Sequence, residues 1–410
     1  MANVNLTIDM ITRESLRILH QKLNFCNNII TDYDDSFAQS GAKIGNTLRV
    51  RLPIQYTSAT GATMGTTTAA DSIQTSTTLT VNTQRHVPMR FTSNELTMSI
   101  DEFASRHIEP AMAKLAAMME YDGLSTLYPK INQVIDGNTN VGFDDVMNAR
   151  AKLNGQLAPM DGRVALLDTQ GMVDLVTDNK SLFNAQDEIN KQYKEGSMGR
   201  FGGFDFYENT LIPTHTPGAE GEGSAYKVNG ASQEKTLSAT DPDPTTGSLI
   251  VDTGTKTIAA GDVFTIGDDV FEVHPETKQS TGVLKQFTVT AAATGAGTLT
   301  ITPAIIASGP HQNVSAVPDD DDLLTFVSGV AASTAHKQSI LFQKGFACMG
   351  TADLVLPKGV HMASRQSYDG ISMRIVQDYD VVKDRVLTRL DVLYGFKILR
   401  PELAVRILHV

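Results

Sequence analysis

The sequence of 410 residues predicts an α+β fold in which a small β-barrel is inserted into a larger mixed domain. Two alternating apolar runs near the N-terminus predict a long β-hairpin, and an apolar helical pattern of about twenty-five residues follows them. Between residues 235 and 330, short strands alternate with glycine and aspartate turns, which is typical of a small barrel or sandwich. A chain of this length has room for two or three domains, each with its own core.

The first element is an amphipathic helix over residues 8–25, where apolar residues recur at spacings near three and four. A polar stretch from Asn27 to Gly45 follows it and contains the acidic residues Asp32, Asp34 and Asp35. We interpret residues 1–45 as an N-terminal arm that carries one helix.

The second element is the hairpin over residues 46–92. Its first strand runs from Leu48 to Ile54 and its second from Leu79 to Phe91, with about two dozen Thr-, Ser-, Ala- and Gly-rich residues between them. An isolated two-stranded ribbon is marginally stable in water. The sequence therefore predicts that a neighbouring subunit covers this ribbon.

The third element is a long helix near residues 99–128. Ser99-Ile100-Asp101-Glu102 has the form of a capping box, and a methionine-rich apolar stripe follows it. Pro110 predicts a kink or a restart, because proline cannot donate the helical hydrogen bond. The methionine stripe predicts core packing, not a cofactor site.

The remaining elements are shorter. A helix begins near Asp144, and Gly218 to Gly223 resembles a linker. We expect Gly267-Asp268-Asp269 to be a hairpin turn. The other segments are a helix at Thr169–Thr177 and strands at Arg163–Leu167, Phe204–Tyr207, Leu249–Val251, Asp262–Ile266, Val270–Val273, Gln286–Thr290, Thr298–Ile301, Ile340–Cys348, Ala352–Leu356, Ser372–Asp378, Leu387–Leu399 and Leu403–Ile407.

Charge is unevenly distributed along the chain. The net charge is −12, and residues 225–332 hold 13 acidic residues against 5 lysines, whereas residues 333–410 hold 11 basic against 7 acidic residues. No arginine occurs between Arg200 and Arg365. A protein that reads nucleic acid usually shows a basic footprint. No such footprint is visible, so we expect that any relation to DNA is enclosure or weak contact and not recognition.

Motifs for chemistry are missing from the sequence. The nine histidines stand singly, and no HExxH, paired CxxC, phosphate-binding or nucleophile-elbow motif occurs. His274-Pro275-Glu276 is interpreted as a surface strand end, and Asp319 to Asp322 as a solvated acidic linker without calcium-loop spacing. We therefore predict no catalytic residues, no cofactor and no metal.

The N-terminal and cysteine patterns favour a protein of the cytoplasm. No signal peptide is visible, and no run approaches the roughly 18 apolar residues of a membrane-spanning helix. Cys26 and Cys348 are too few and too far apart in sequence for a disulfide framework, so we expect reduced thiols.

The order of arm, hairpin, long helix, mixed domain, inserted β-domain and closing strands resembles the phage P22 coat-protein family, whose main domain has the Hong Kong 97 fold. The most specific segments are Gln84–Thr92 with Glu95-Leu96, Thr277–Gly282 with Thr302–Ile306, and Tyr368–Ser372 with Leu393–Gly395 and Arg400–Leu403.

The resemblance implies a major capsid protein, not an enzyme. It divides the chain into the arm (1–45), an extended loop (46–92), the spine helix with the first part of the peripheral and axial domains (93–226), an inserted barrel (227–331) and the remaining axial and peripheral parts (332–410). Hexamers and pentamers would form an icosahedral shell around double-stranded DNA. Partners would be a scaffolding protein during assembly and a portal protein at one vertex, with assembly in the bacterial cytoplasm and a final place in the virion.

Finer expectations concern the subunit contacts. Arg49, Arg51, Arg85 and Arg90 on the hairpin are the candidate inter-subunit residues. No lysine lies between Leu52 and Ala113, so we expect no covalent cross-link through a loop lysine of the kind found in some Hong Kong 97-type shells. The acidic insertion is expected on the outer surface, away from the genome.

Three other functions stay open on sequence grounds. An encapsulin-like compartment shares the fold but encloses no genome, and a β-rich tail or adhesion protein would also explain the threonine-rich strands of residues 235–330. An enzyme is the third alternative and has no motif behind it.

Overall fold

The computed structural model describes residues 12–13, 15–19, 23–31, 47–56, 74–92, 108–136, 140–178, 199–219, 225–327, 334–368 and 370–409. The chain divides into two compact units. The first comprises Met1–Leu48, Thr78–Leu124 and Cys348–Lys397, and the second comprises Arg49–Thr77, Ser125–Ala347 and Ile398–Val410. Among the described residues, no helix is both long enough and apolar enough to span a bilayer.

Among the described residues, three α-helices and twenty-four β-strands have defined bounds. The helices are α1 (Glu109–Leu127), α2 (Phe143–Gly155) and α3 (Thr169–Asp178). The strands are β1 (Thr47–Arg51), β2 (Ser76–Thr80), β3 (Thr83–Thr92), β4 (Gln133–Asp136), β5 (Arg163–Leu167), β6 (Arg200–Phe201), β7 (Phe204–Glu208), β8 (Thr214–His215), β9 (Lys227–Val228), β10 (Gly247–Asp252), β11 (Thr257–Ile258), β12 (Val263–Ile266), β13 (Phe271–Val273), β14 (Ser280–Leu284), β15 (Phe287–Val289), β16 (Ala293–Thr294), β17 (Gly297–Thr302), β18 (Leu324–Phe326), β19 (His336–Gln343), β20 (Ala347–Thr351), β21 (Met362–Tyr368), β22 (Ile371–Asp380), β23 (Arg385–Ile398) and β24 (Ala404–His409).

The first unit is built on a five-stranded sheet of order β20-β23-β22-β21. The fifth strand, β3, pairs with β23 on the edge opposite β22. The expected hairpin is therefore only partly right. β1 pairs with β2, but β3 joins β23 over ten positions, from Thr83 opposite Tyr394 to Thr92 opposite Arg385. The long β23 satisfies more backbone groups of β3 than the five-residue β1 can, which explains the exchange of partners.

The helical expectations fall partly on described residues. Residues 12–13 and 15–19 are helical, and Leu16 and Leu19 are buried as the amphipathic pattern predicts. Helix α1 begins at Glu109, with Pro110 as its second residue, where a missing N–H is tolerated. Residues 99–107, which decide between the expected kink and the expected restart, lie outside the described residues. Met112 and Met119 are fully buried, which confirms core packing. The capping box at residues 99–102 lies outside the described residues.

The second unit contains a seven-stranded sheet of order β4-β24-β19-β5-β7-β6, with β8 also paired to β19. β4 runs parallel to β24 and β5 runs parallel to β7, whereas the other pairs are antiparallel. Every residue of β5 and β24 is buried, as continuous apolar runs predict. Helix α2 packs on β24 and β4, and α3 packs on β5.

The inserted β-domain is a closed barrel. Its six antiparallel strands have the order β18-β12-β15-β17-β10-β9, and a bridge between Lys227 and Leu323 connects the last strand back to the first. The main-chain N–H of Leu324 donates to the carbonyl of Tyr226 at 2.9 Å across this closure. Phe264 and Phe287 are fully buried inside. The predicted mixed fold with an inserted barrel is confirmed.

Three local expectations are wrong. Gly267-Asp268-Asp269 forms a turn but not a hairpin, because β12 already pairs with β15 and β18 on its two edges and β13 pairs with β14. Ala352–Leu356 is not a strand, and Val355 is 79% exposed there. A 3-10 turn at Lys344–Phe346 divides the run Ile340–Cys348 into β19 and β20.

The acidic run Asp319 to Asp322 is also more ordered than a linker. The Oδ1 atom of Asp320 accepts a hydrogen bond from the N–H of Gly230 at 2.7 Å, and Asp322 accepts one from the N–H of Asp319 at 2.8 Å. The run therefore forms part of the barrel closure, because it lies beside β9 and precedes β18.

Candidate functional site: the barrel joint and the exposed arginines

The barrel is attached to the edge of the seven-stranded sheet, named the central sheet from here on, through Gln286, the residue before β15. We call this attachment the barrel joint. Its Oε1 accepts hydrogen bonds from the N–H of Val134 at 2.9 Å and from Nζ of Lys152 at 2.7 Å. Its carbonyl accepts one from Nδ2 of Asn132 at 2.8 Å, and its Nε2 donates to the carbonyl of Val134 at 3.3 Å. Gln286 thus covers the open edge of β4, which would otherwise expose unpaired backbone groups.

Lys152 of α2 is held inside this joint, and no carboxylate of the described residues lies at ion-pair distance from it. Its Nζ donates to the carbonyl of Val134 and to Oε1 of Gln286, both at 2.7 Å. The pKa of Lys152 is lowered to about 8, chiefly by burial. The charge of Glu272 raises this pKa and the charge of Lys285 lowers it, each by less than burial does. The ammonium group is therefore close to losing its proton at mildly alkaline pH.

A second contact joins the barrel to β8 through His215 and Asp262. Nε2 of His215 lies 2.8 Å from Oδ1 of Asp262, and both side chains are buried. Oδ2 of Asp262 accepts from the N–H of Gly218 at 3.0 Å and from that of Ala259 at 2.6 Å. Three partners thus satisfy much of the hydrogen-bonding capacity of this buried carboxyl group, as a buried polar group requires.

Arg406 of β24, inside the central sheet, forms a third contact with the barrel. Its side chain is fully buried, and Nη2 donates to the carbonyl of Gly261 in the barrel at 2.9 Å. Nη1 donates to Oε1 of Gln338 at 3.2 Å. Burial lowers the pKa of Arg406 to about 10, against smaller raising effects of Tyr128 and Asp262.

The contacts at the joint are hydrogen bonds that attach the barrel to the central sheet. In the part of the chain that the structure describes, no three His, Cys, Asp or Glu side chains are grouped so as to hold a metal ion. Sequence reasoning did not single out Gln286, His215, Asp262 or Arg406. Only Arg406 had a visible signal, because a charged residue inside the apolar run Leu403–Ile407 is unusual.

The four candidate contact residues lie in two places. Arg49 and Arg51 are both exposed on β1, two residues apart and hence on the same face of the strand. Nε of Arg49 donates to Oγ of Ser76 at 2.7 Å. Arg85 and Arg90 lie on β3 at an odd spacing, so their side chains leave opposite faces.

The two arginines of β3 differ in their partners. Arg85 forms a two-point ion pair with Asp122 of α1, with Nε–Oδ2 at 2.7 Å and Nη2–Oδ1 at 2.8 Å. Arg90 is exposed opposite Leu387. Within the described ranges, Arg49, Arg51 and Arg90 have no carboxylate at ion-pair distance, so these three remain available for other molecules.

Several solved structures of bacteriophage origin are similar to this chain. The solved structures found include one titled Mycobacterium phage Che8, at 11% identity over 94% of this chain and 90% of that chain with a TM-score of 0.43. The capsid of Ralstonia phage GP4 matches at 7% identity over 90% and 84% of the two chains, with a TM-score of 0.43. The CUS-3 coat protein I-domain matches at 29% identity over 25% of this chain and 95% of that chain, with a TM-score of 0.20. No curated protein sequence matches.

The family assignment rests on a separate match. The family model described as P22 coat protein, gene protein 5, matches residues 24–408 of the 410. The match includes the arm from Asn24 onward, the long helix, the central sheet and the whole barrel. The chain therefore belongs to the P22 coat protein family, and it is a coat protein that forms the shell of a bacteriophage capsid.

Proposed function

We propose that this coat protein assembles as hexamers and pentamers into an icosahedral shell that encloses a double-stranded DNA genome. The observation that carries the proposal is the family match over residues 24–408. Closed rotational symmetry covers exposed strand edges and side chains without producing open fibres. The proposal includes a scaffolding protein during assembly, a portal protein at one vertex, and assembly in the bacterial cytoplasm. It assigns the chain no catalytic activity.

The proposal keeps the five-part division of the chain at 1–45, 46–92, 93–226, 227–331 and 332–410. The barrel strands from Lys227 to Phe326 support the fourth part. That part is also the acidic one, with 13 acidic residues and 5 lysines in residues 225–332. Since like charges repel, the barrel is expected on the outer surface, away from the phosphates of the genome.

Arg49, Arg51 and Arg90 are proposed as contacts to carboxylates of neighbouring subunits. Their exposure and their lack of carboxylate partners within the described ranges support this role. Exposed ion pairs contribute about 0–1 kcal/mol each, so such contacts matter through their repetition over a shell. Arg85 remains the fourth candidate, although Asp122 occupies two of its donor groups.

The enclosed DNA is the part of the proposal that separates it from an encapsulin-like compartment. Particles purified from infected cells should be treated with nuclease and then opened, and the protected nucleic acid measured. We expect double-stranded DNA of uniform length. Particles without protected DNA would favour the compartment, and trimers or fibres instead of particles would favour a tail protein.

A further inference from the structure

A small cavity of about 10 Å³ lies in the joint between the barrel and the central sheet. Its walls are almost entirely buried and come from both bodies, with Asp262 and Val263 on the barrel side and Arg406 and Leu408 on the sheet side. A cavity of roughly 10–15 Å³ accommodates one water molecule when it also offers two to four polar partners.

Three buried polar atoms on the sheet side of this cavity have no hydrogen-bond partner among the described residues. They are Nε2 of His336, Nε2 of Gln338 and Nε of Arg406, and their side chains are at most 2% exposed. Leaving a buried polar atom unsatisfied costs about 1–3 kcal/mol. Three such atoms at one cavity indicate a built site for a small polar ligand.

The donor and acceptor character of the three atoms identifies the ligand. Nε of Arg406 can only donate. Oε1 of Gln338 accepts from Nη1 of Arg406 at 3.2 Å, which fixes the amide orientation and leaves its Nε2 as a donor. Nδ1 of His336 lies 3.3 Å from the carbonyl of Thr334, so it carries the proton, and Nε2 of the neutral ring is an acceptor. The cavity therefore presents two donors and one acceptor.

We propose that this cavity binds one water molecule, which accepts hydrogen bonds from Arg406 and Gln338 and donates one to His336. A halide ion accepts hydrogen bonds but cannot donate one, so it would face the lone pair of His336. Water both accepts and donates, and its free second hydrogen can point toward the neighbouring carboxylate, Asp262. The water completes the hydrogen bonding of Arg406, whose Nη2 already holds the barrel through Gly261.

The protonation state of His336 supports water. The pKa of His336 is lowered to about 4, chiefly by burial. The hydrogen bond to the carbonyl of Thr334 and the charge of Asp262 oppose this shift, whereas His215 and Arg406 add to it. The ring is thus neutral at pH 7 and keeps its acceptor. Below pH 4 a protonated ring would offer a third donor, and an anion would then become the better ligand.

The direct test is a density map of the assembled shell, or of the full chain, at pH 7 and at about 2 Å resolution or better. We expect a single peak at about 2.7–3.2 Å from Nε2 of His336, Nε2 of Gln338 and Nε of Arg406. A cavity without a peak, or one filled by a neighbouring side chain, would overturn the proposal.

A variant and a salt comparison make the assignment to water specific. His336→Phe keeps a ring of similar shape but has no acceptor, so its map should lack the peak or show it displaced from the ring. An unchanged peak in that variant would contradict the role of His336. Thermal unfolding of the wild-type chain in equal concentrations of chloride and glutamate at pH 7 should give the same midpoint, whereas a rise specific to chloride would identify a halide site instead.

Discussion

Asp122 of the long helix α1 receives two hydrogen bonds from Arg85 of β3 and a third from the hydroxyl of Tyr394 of β23, at 2.7, 2.8 and 2.6 Å. One carboxylate thus connects the helix to two neighbouring strands of the five-stranded sheet. Burial alone would raise the pKa of Asp122, but the hydrogen bonds from Arg85 and Tyr394 together hold it below its usual value.

The first prediction concerns this contact. Arg85→Ala should lower the free energy of unfolding by about 1 kcal/mol, the scale of a two-point, partly exposed ion pair. Because the pKa of Asp122 is lowered in the folded state, its stabilisation is present above pH of about 4 and is lost as the pH falls through the folded value. Urea unfolding of the monomer between pH 3 and pH 7 measures both effects.

Arg90→Ala is the matched control on the same strand. Arg90 has no carboxylate partner in the described ranges, so its loss should change the unfolding free energy by less than about 0.5 kcal/mol. It should instead reduce the yield of closed shells in sedimentation. Equal destabilisation by the two variants would show that the pair with Asp122 has no special role.

The second prediction concerns the attachment of the arm to α1. Oε1 of Glu120 accepts hydrogen bonds from the main-chain N–H groups of Asn24 and Phe25, and Glu120 is 4% exposed. Glu120→Ala leaves two N–H groups without this acceptor and should cost about 3 kcal/mol, whereas Glu120→Gln keeps an acceptor oxygen and should cost about 1 kcal/mol.

Denaturant unfolding measures both Glu120 variants, and Glu109→Ala is the control because Glu109 lies on the same helix but is exposed. The control should change the unfolding free energy by less than about 1 kcal/mol. If Glu120→Ala and Glu109→Ala were equally mild, the arm would not depend on this carboxylate.

The third prediction is a pH dependence at the barrel joint. Burial lowers the pKa of Lys152 to about 8, whereas an unfolded lysine has a pKa of about 10.4. Between these values the folded state binds fewer protons, so stability rises with pH. The difference in unfolding free energy between the wild type and Lys152→Met should shift in favour of the wild type by at most about 1.4 kcal/mol per pH unit from pH 8 to pH 10.

Lys344→Met provides the comparison, because Lys344 is exposed and lies away from Gln286 in the sequence. The difference between the wild type and this control should stay flat over the same range. A flat profile for Lys152→Met as well would mean that the ammonium group is better solvated than its burial indicates.

The fourth prediction concerns the chemistry of the mature shell. Since no lysine lies between Leu52 and Ala113, neighbouring subunits should not be joined through a loop lysine. Mature particles boiled in denaturing detergent should run on a gel as one band near 44.3 kDa. A ladder of multiples of that mass would refute the prediction.

The sequence predicted the strands better than it predicted their partners. Alternation correctly located β3 and β23, but their pairing joins residues about three hundred positions apart, and nothing local distinguishes β23 from β1 as the partner of β3. Composition correctly indicated the turn at Gly267. The pairing of β12 with β15 and β18, which excludes a hairpin there, arises only in the closed barrel.

The barrel joint was beyond sequence reasoning for a related reason. Gln286 is an ordinary polar residue at a strand end, and only folding brings it beside Val134 and Lys152. His215 and Asp262 are 47 positions apart and stand in no motif. Single polar residues acquire a role here because the surrounding apolar strands exclude water, which a linear pattern does not encode.

Electron microscopy of the expressed full chain, with and without its scaffolding partner, shows whether the coat protein forms closed shells. We expect closed icosahedral particles of uniform size, built from hexamers and pentamers, when the scaffolding protein is present. Fibres, discrete trimers or a persistent monomer under those conditions would contradict it.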